Sequence, residues 1–306
     1  MTDTESRKRF IQLLRQGVQL KVQHQQQQEK KSDFIKKEDL LVETTSNKVC
    51  RASLPDCKIH GKNLAAWQTL AWRDAFSMAP FFLETVGGKP LRIKQVLQGE
   101  IHGFGTGLTV WPAACVLLKH LEQSAINRPL ANTDNHFVLE LGSGTGAVGI
   151  AAAMLLPAGR VMLTDVGNVR FIMEENVALA KQDGVLGSNV QLDVEVYEWG
   201  KAPSKKLIPS LEQYPDLILV SDCILPRLYP IEPLVEALTL LSKPHTRILI
   251  SYEHRYYQHF QPKQRFWELL KARNFTLRLI DTAEYHPHYF ASDIEVWEIT
   301  SSLHKY

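Results

Sequence analysis

The segment Phe137-Val138-Leu139-Glu140-Leu141-Gly142-Ser143-Gly144-Thr145-Gly146-Ala147 decides the fold. An apolar strand leads into a turn of three alternating glycines, and the Ala-rich apolar run from Val148 to Leu156 continues as a helix. Strand, glycine turn and helix, in that order, bring backbone N–H groups up to a ligand at the C-terminal edge of a parallel sheet. Downstream the alternation persists. Strands are predicted over 161–164, 190–194, 217–220 and 247–251, with helices over 169–181, 231–241 and 263–272. Two strands, 276–280 and 294–299, close the chain with no helix between them, which implies an antiparallel hairpin at one edge. The pattern is that of an α/β protein with a doubly wound, mostly parallel sheet.

Upstream, Gly105-Thr106-Gly107 precedes Leu108-Thr109-Val110-Trp111-Pro112-Ala113-Ala114, and an apolar helix follows through Leu121. Before it, 80–86 and 91–96 read as two strands about the Gly87-Gly88 turn, and 65–76 as a helix. We take 34–107 as an N-terminal extension packed on the sheet domain and 108–306 as that domain. Residues 1–33 read as a flexible tail: Phe10, Leu13, Leu14 and Val18 keep helical spacing, but Gln25 to Lys31 have no apolar partner. A partner-binding helix or basic arm is the competing reading of that tail.

Hydrophobic residues at 44% and charged residues at 22% are enough for a sizeable core. The 35 basic and 33 acidic residues leave a net charge of +2, which gives no bulk field for nucleic acid or a membrane surface. Cys50, Cys57, Cys115 and Cys223 form no closely spaced pair and read as reduced thiols. No run approaches the ~18 apolar residues of a membrane span, and the N-terminus lacks the apolar core of a secretory signal. We expect a soluble, monomeric protein of the cytoplasm, with the nucleus also open to it. His254, His259, His286 and His288 lack a Cys or carboxylate at ligand spacing, so no metal is expected.

Two ligands compete for the glycine turn. Gly142-x-Gly144-x-x-Ala147 fits the dinucleotide fingerprint of a nicotinamide dehydrogenase. Glu140-x-Gly142-x-Gly144-x-Gly146 instead puts an acid two residues before the first glycine. A carboxylate there repels a pyrophosphate and suits a cationic ligand.

Val138 to Gly146 resembles the first motif of seven-strand, class I S-adenosylmethionine-dependent methyltransferases. With Trp111-Pro112-Ala113-Ala114 upstream, Asn176, and Trp199-Gly200, the chain is similar to lysine methyltransferase family 16 over about residues 91–300. The resemblance implies a Rossmann-like, seven-stranded sheet, S-adenosyl-L-methionine as cofactor, and transfer to a lysine of a protein substrate by in-line displacement. It also implies a cofactor site of Trp111, Glu140, Gly142, Ser143, Gly144, Thr145, Gly146, Asp165, Trp199 and Ser221. Asp165, 25 positions after Glu140 and at the end of the next strand, is placed to accept both ribose hydroxyls, or else to cap the following helix. Asp193 is a further candidate beside the adenine. Asp222, directly after the fourth strand, is expected to orient the acceptor amine. Family members commonly carry an aromatic three residues later, where this chain has Leu225. Tyr229 or Tyr252 would have to supply it, and Tyr252 is taken with Asp222 as catalytic. A catalytically weak cofactor-binding module and a small-molecule methyltransferase remain as alternatives.

Overall fold

The structure is a computed structural model that describes residues 58–59, 62–63, 79–96, 105–127, 135–210, 213–226, 228–255 and 261–301. The tail at 1–33, the helix expected over 65–76, Cys50, Cys57 and His259 lie outside the described residues. The chain divides between Gln68 and Thr69 into two units. In the first, β1 (Lys58–Ile59) and β2 (Lys62–Asn63) pair antiparallel.

The first described elements of the second unit are the hairpin strands β3 (Phe81–Val86) and β4 (Lys89–Lys94), in the register Phe82 opposite Ile93. Then come α1 (Pro112–Asn127), β5 (Phe137–Leu141), α2 (Ala147–Leu155), β6 (Gly159–Asp165), α3 (Arg170–Gln182) and β7 (Val190–Val196). After β8 (Leu217–Ser221) follow α4 (Ile231–Leu241), β9 (Arg247–Glu253), α5 (Pro262–Ala272), β10 (Phe275–Leu279) and β11 (Ile294–Ser301). The sheet runs β7-β6-β5-β8-β9-β11-β10. Neighbours from β7 through β9 are parallel, and β11 is antiparallel to both β9 and β10. The C-terminal pair is therefore an antiparallel hairpin whose second strand inserts inside its first. The edge strand is β10.

The period-2 alternation of strands sorts the core into two layers. Val138, Leu217, Leu219 and Leu249 pack with α1, α2, α3 and the β3–β4 hairpin. Leu139, Leu141, Ile218, Val220, Ile248 and Ile250 pack with α4 and α5. Burying each such side chain stabilises by about 1.5–3 kcal/mol. The parallel strands are apolar on both sides because helices cover both. No helix among the described residues is long and apolar enough to cross a membrane.

The strand order reverses between β5 and β8, since β6 and β7 extend one way and β9 the other. A crevice opens at the carboxyl ends of strands at such a point.

Candidate active site

A cleft of about 850 Å³ lies there, lined from β5 and its turn, the ends of β6 and β8, the 105–111 loop, residues 197–199 and the segment after β8. That volume suits a nucleoside-sized ligand.

The turn after β5 is fixed by the neighbouring strand. Ser143 N–H donates to the Thr164 carbonyl at 2.9 Å, Thr164 N–H to Ser143 Oγ at 2.9 Å, and Thr164 Oγ1 to the Glu140 carbonyl at 2.6 Å. Gly144 has φ +54°, and a Cβ there would sit 2.9 Å from the Gly107 carbonyl oxygen, so the turn and the 105–111 loop touch backbone to backbone. Gly149, in the first turn of α2, donates its N–H to Glu140 Oε2 at 3.0 Å, and a Cβ would lie 2.7 Å from that same oxygen. Only a glycine lets the helix come this close.

Glu140 is 2% exposed. Burial pushes its carboxyl up to about 8, Asp165 adds to the rise, and the Gly149 N–H and Ser143 hydroxyl oppose it. Asp165 takes a bond on each oxygen, Gly144 N–H at 2.8 Å and Val166 N–H at 2.7 Å. Its carboxyl is raised by burial against those two donors. The cap reading of Asp165 fails, because α3 starts at Arg170 with Val169 at its N-cap and no side-chain cap bond.

Of the residues expected to hold a cofactor, Trp111, Glu140, Gly142, Ser143, Gly144, Thr145, Asp165, Trp199 and Ser221 all line the cleft, as does Asp222. Gly146 stands behind the wall as the α2 N-cap, in the left-handed region at φ +80°. Trp111 Nε1–H donates to the Thr106 carbonyl at 2.9 Å, which holds its loop closed. Asp193 is not brought to the cleft; it accepts from Gln191 Nε2 on the same strand, β7. Glu198, unremarked in the sequence, lines the cleft instead.

Tyr252 requires a correction. The strand predicted over 247–251 continues to Glu253, so Tyr252 lies inside β9, in phase with Ile248 and Ile250. Its side chain is 3% exposed, belongs to the layer under α4 and α5, and is not among the cleft residues. Strand alternation removes it from the chemistry. Tyr229, the other candidate, does line the cleft: its hydroxyl lies 2.6 Å from Thr106 Oγ1 and accepts from Thr106 N–H at 3.1 Å, and its ring stands edge-on to Trp199 at 5.9 Å. Leu225 lines the cleft beside it.

At the far wall the chain leaves β8 through Asp222, which has φ +55° and donates its N–H to the Ser251 carbonyl at 2.9 Å. Arg255, which no motif in the sequence marks, reaches back to Asp222. Nη1 donates to Oδ1 at 2.7 Å and Nη2 to Oδ2 at 2.5 Å. Cys223, buried beneath Gly142, has its thiol pushed up by burial and by the surrounding carboxylates, which makes it a poor nucleophile. His254 Nε2 pairs with Glu295 at 2.8 Å, and His286 Nδ1 accepts from His288 N–H.

The donor set suits a ligand with a cationic amino group and a ribose diol. Glu140 and Asp165 flank the turn, and glycines leave backbone room between them. A pyrophosphate would meet two carboxylates in that space.

An open seven-stranded sheet with an acid-flanked glycine turn at its switch point defines an α/β enzyme that binds a cationic nucleoside. The sequence model of the lysine methyltransferase family matches residues 88–273, more than half of the chain, which belongs to that family. Similar proteins include the protein N-lysine methyltransferase METTL21A of Xenopus tropicalis, 33% identical over 177 residues that span 56% of this chain and 70% of the relative. The protein-lysine N-methyltransferase EFM6 of Saccharomyces cerevisiae is 27% identical over 235 residues, 70% of this chain and 88% of the relative. The EEF1A lysine methyltransferase 3 of Xenopus tropicalis is 30% identical over 165 residues, 54% and 64%. Among solved structures, a SAM-dependent methyltransferase from Aquifex aeolicus aligns with TM-score 0.42 and 15% identity over 63% of this chain and 100% of the other.

Proposed function

We infer that this chain transfers a methyl group from S-adenosylmethionine to a lysine side chain of a protein. The observation that carries the reading is the pair Glu140 and Asp165, two buried carboxylates at the ends of adjacent strands on either side of a glycine turn. In this reading Glu140 meets the methionine amino group, Asp165 the ribose hydroxyls, and Trp111, Trp199 and Ser221 line the cofactor half of the cleft. Gly142 to Gly146 keep the backbone open to it.

S-adenosylmethionine supplies a methyl carbon on a sulfonium: the lysine Nζ lone pair takes that carbon, sulfur keeps the bonding pair as a thioether, and the product amine releases a proton. The chain's contribution is position and dryness. A free lysine near pKa ~10.4 must be neutral to react, which at pH near 7.4 costs about 4 kcal/mol. A slot walled by Leu225, Tyr229 and Pro230 disfavours the charged amine and so lowers that cost. Asp222 orients the amine and does not abstract its proton. The relatives named as protein-lysine methyltransferases support a protein acceptor.

The test has two stages. Calorimetry against S-adenosylhomocysteine and NADH should show binding of the first alone; tighter NADH binding would overturn the reading. The protein is then incubated with methyl-labelled S-adenosylmethionine and a lysate that lacks its own copy. Label in a protein band that yields methyl-lysine on hydrolysis, and that Asp165→Ala abolishes, is expected. Label only in low-mass material would move the acceptor to small molecules.

A further inference from the structure

The acceptor wall carries one feature that the family assignment does not explain. Arg255 is the only basic residue among the described residues lining the cleft, whose acidic residues are Glu140, Asp165, Glu198 and Asp222. Its guanidinium is held by two carboxylates and a backbone carbonyl. Nη1 donates to Asp222 Oδ1 at 2.7 Å and to the Glu253 carbonyl at 3.2 Å; Nη2 donates to Asp222 Oδ2 at 2.5 Å and to Glu253 Oε2 at 3.3 Å. Glu253 N–H adds a bond to Asp222 Oδ1 at 3.3 Å. The Asp222 side chain is 3% exposed and that of Arg255 27%. A bidentate arginine–carboxylate pair pinned again by a second acid is a fixed element, not a loose surface contact.

Resting on the methyltransferase reading above, we propose that Arg255 is a specificity-determining positioning residue at the acceptor end. It offsets the charge of Asp222, so that this wall favours an uncharged amine over an ammonium more than the carboxylate alone would. The reasoning is electrostatic. An unpaired carboxylate beside the acceptor holds lysine in its charged form, which has no lone pair to give. Pairing the same carboxylate with a fixed guanidinium weakens its field at the acceptor. Among the described residues, Glu253 from β9 shares the guanidinium, the neutral Cys223 thiol lies beside Asp222, and Glu140 and Asp165 stand on the cofactor side.

Sinefungin tests this without knowing the protein substrate. It replaces the methylsulfonium of the cofactor by a carbon bearing an amino group, so it carries an ammonium towards the acceptor wall, whereas S-adenosylhomocysteine carries a neutral thioether. The readout is the ratio of their dissociation constants, homocysteine form over sinefungin, by calorimetry on the full chain at pH 7. Arg255→Gln should raise that ratio about tenfold and Asp222→Asn should lower it about tenfold, the size expected of one charge at close range in a half-wet site. The double variant should return near the wild-type ratio, and Arg255→Lys, which keeps the charge, should stay near it. A purely architectural Arg255 would weaken both ligands together and leave every ratio unmoved, which overturns the proposal. If Arg255→Gln is too unstable to bind S-adenosylhomocysteine, the fall with Asp222→Asn decides alone. Failure of the wild type to bind either ligand would overturn the cofactor reading itself, a result distinct from a flat ratio.

Discussion

Glu140 offers the sharpest test of the cofactor site. In the ligand-free protein its carboxyl sits at about 8, raised chiefly by burial. A cationic amino group stabilises only the ionised form, so binding must remove the proton wherever the free protein still holds it. At pH 7 the ionised fraction is 1/(1 + 10), about one-tenth, and at pH 6 about one-hundredth. The apparent dissociation constant of S-adenosylhomocysteine should therefore rise about tenfold from pH 7 to pH 6 and flatten above pH 8. Calorimetry at pH 7 in two buffers of different ionisation enthalpy should report about one proton released per ligand bound. Glu140→Gln should bind more weakly, lose its share of the proton release, and show a correspondingly shallower pH dependence. The same shift has a stability sign. A folded-state value above the unfolded one contributes stability that is complete below about 4.5 and is lost as pH rises through about 8. Ligand-free Glu140→Gln should thus melt higher than wild type at pH 8.5, and the difference should shrink towards pH 5. Equal proton release and parallel pH profiles for wild type and Glu140→Gln would refute the assignment of this carboxyl to the cationic group.

Three further outcomes follow from the geometry. Asp165→Ala should weaken S-adenosylhomocysteine about tenfold or more by calorimetry, from loss of charge-assisted bonds worth about 1.5–3 kcal/mol, whereas Asp193→Ala should leave it unchanged. Asn176→Ala should cost about 2–4 kcal/mol in urea unfolding, because it strands three backbone groups that its buried amide now satisfies; a loss under about 0.5 kcal/mol would mean that water replaces the amide without penalty. Tyr229→Phe should raise the same dissociation constant by several-fold through release of Thr106, about 1 kcal/mol, while Tyr252→Phe should leave methyl transfer untouched.

The parts of this molecule that read correctly from sequence are those whose cause is local. Helix α4 was expected over 231–241 and stands there, bracketed by the extended residues Pro230 and Ser242. The β3–β4 hairpin follows from two apolar runs about Gly87-Gly88, and the acid–glycine turn from Glu140 to Gly146 is legible because strand, turn and helix are contiguous. Tyr252 failed for a geometric reason: two more residues on β9 decide which face of the sheet a side chain takes, and no local signal marks that strand's end. Arg255 was missed because its partner is 33 positions away. Asn176 was noted only as a match to the family. Its function as a joint between Lys94 and Thr145 depends on contacts across 82 and 31 positions.

Those distant contacts show how the two walls of the cleft are held by different physics. On the cofactor side the ion pairs Arg92–Asp183 and Lys94–Glu175 stay at the surface, and the buried joints are neutral amides. Asn176 binds both backbone groups of Lys94 and the Thr145 carbonyl, and Gln95 accepts from Val110 N–H at 3.0 Å and Thr109 Oγ1 at 3.1 Å while donating to the Ala79 carbonyl. One amide ties the hairpin to the glycine turn and the other ties it to the loop that carries Trp111. A charged joint here would stand among the buried carboxylates Glu140 and Asp165 and would shift their ionisation, which an amide does not. On the acceptor side, Asp222 projects from a left-handed backbone position and is held by an ion pair that offsets its charge. Neutral joints fix a wall whose charges are reserved for the ligand, and an ion pair fixes the wall where charge itself selects the reactive form of the acceptor.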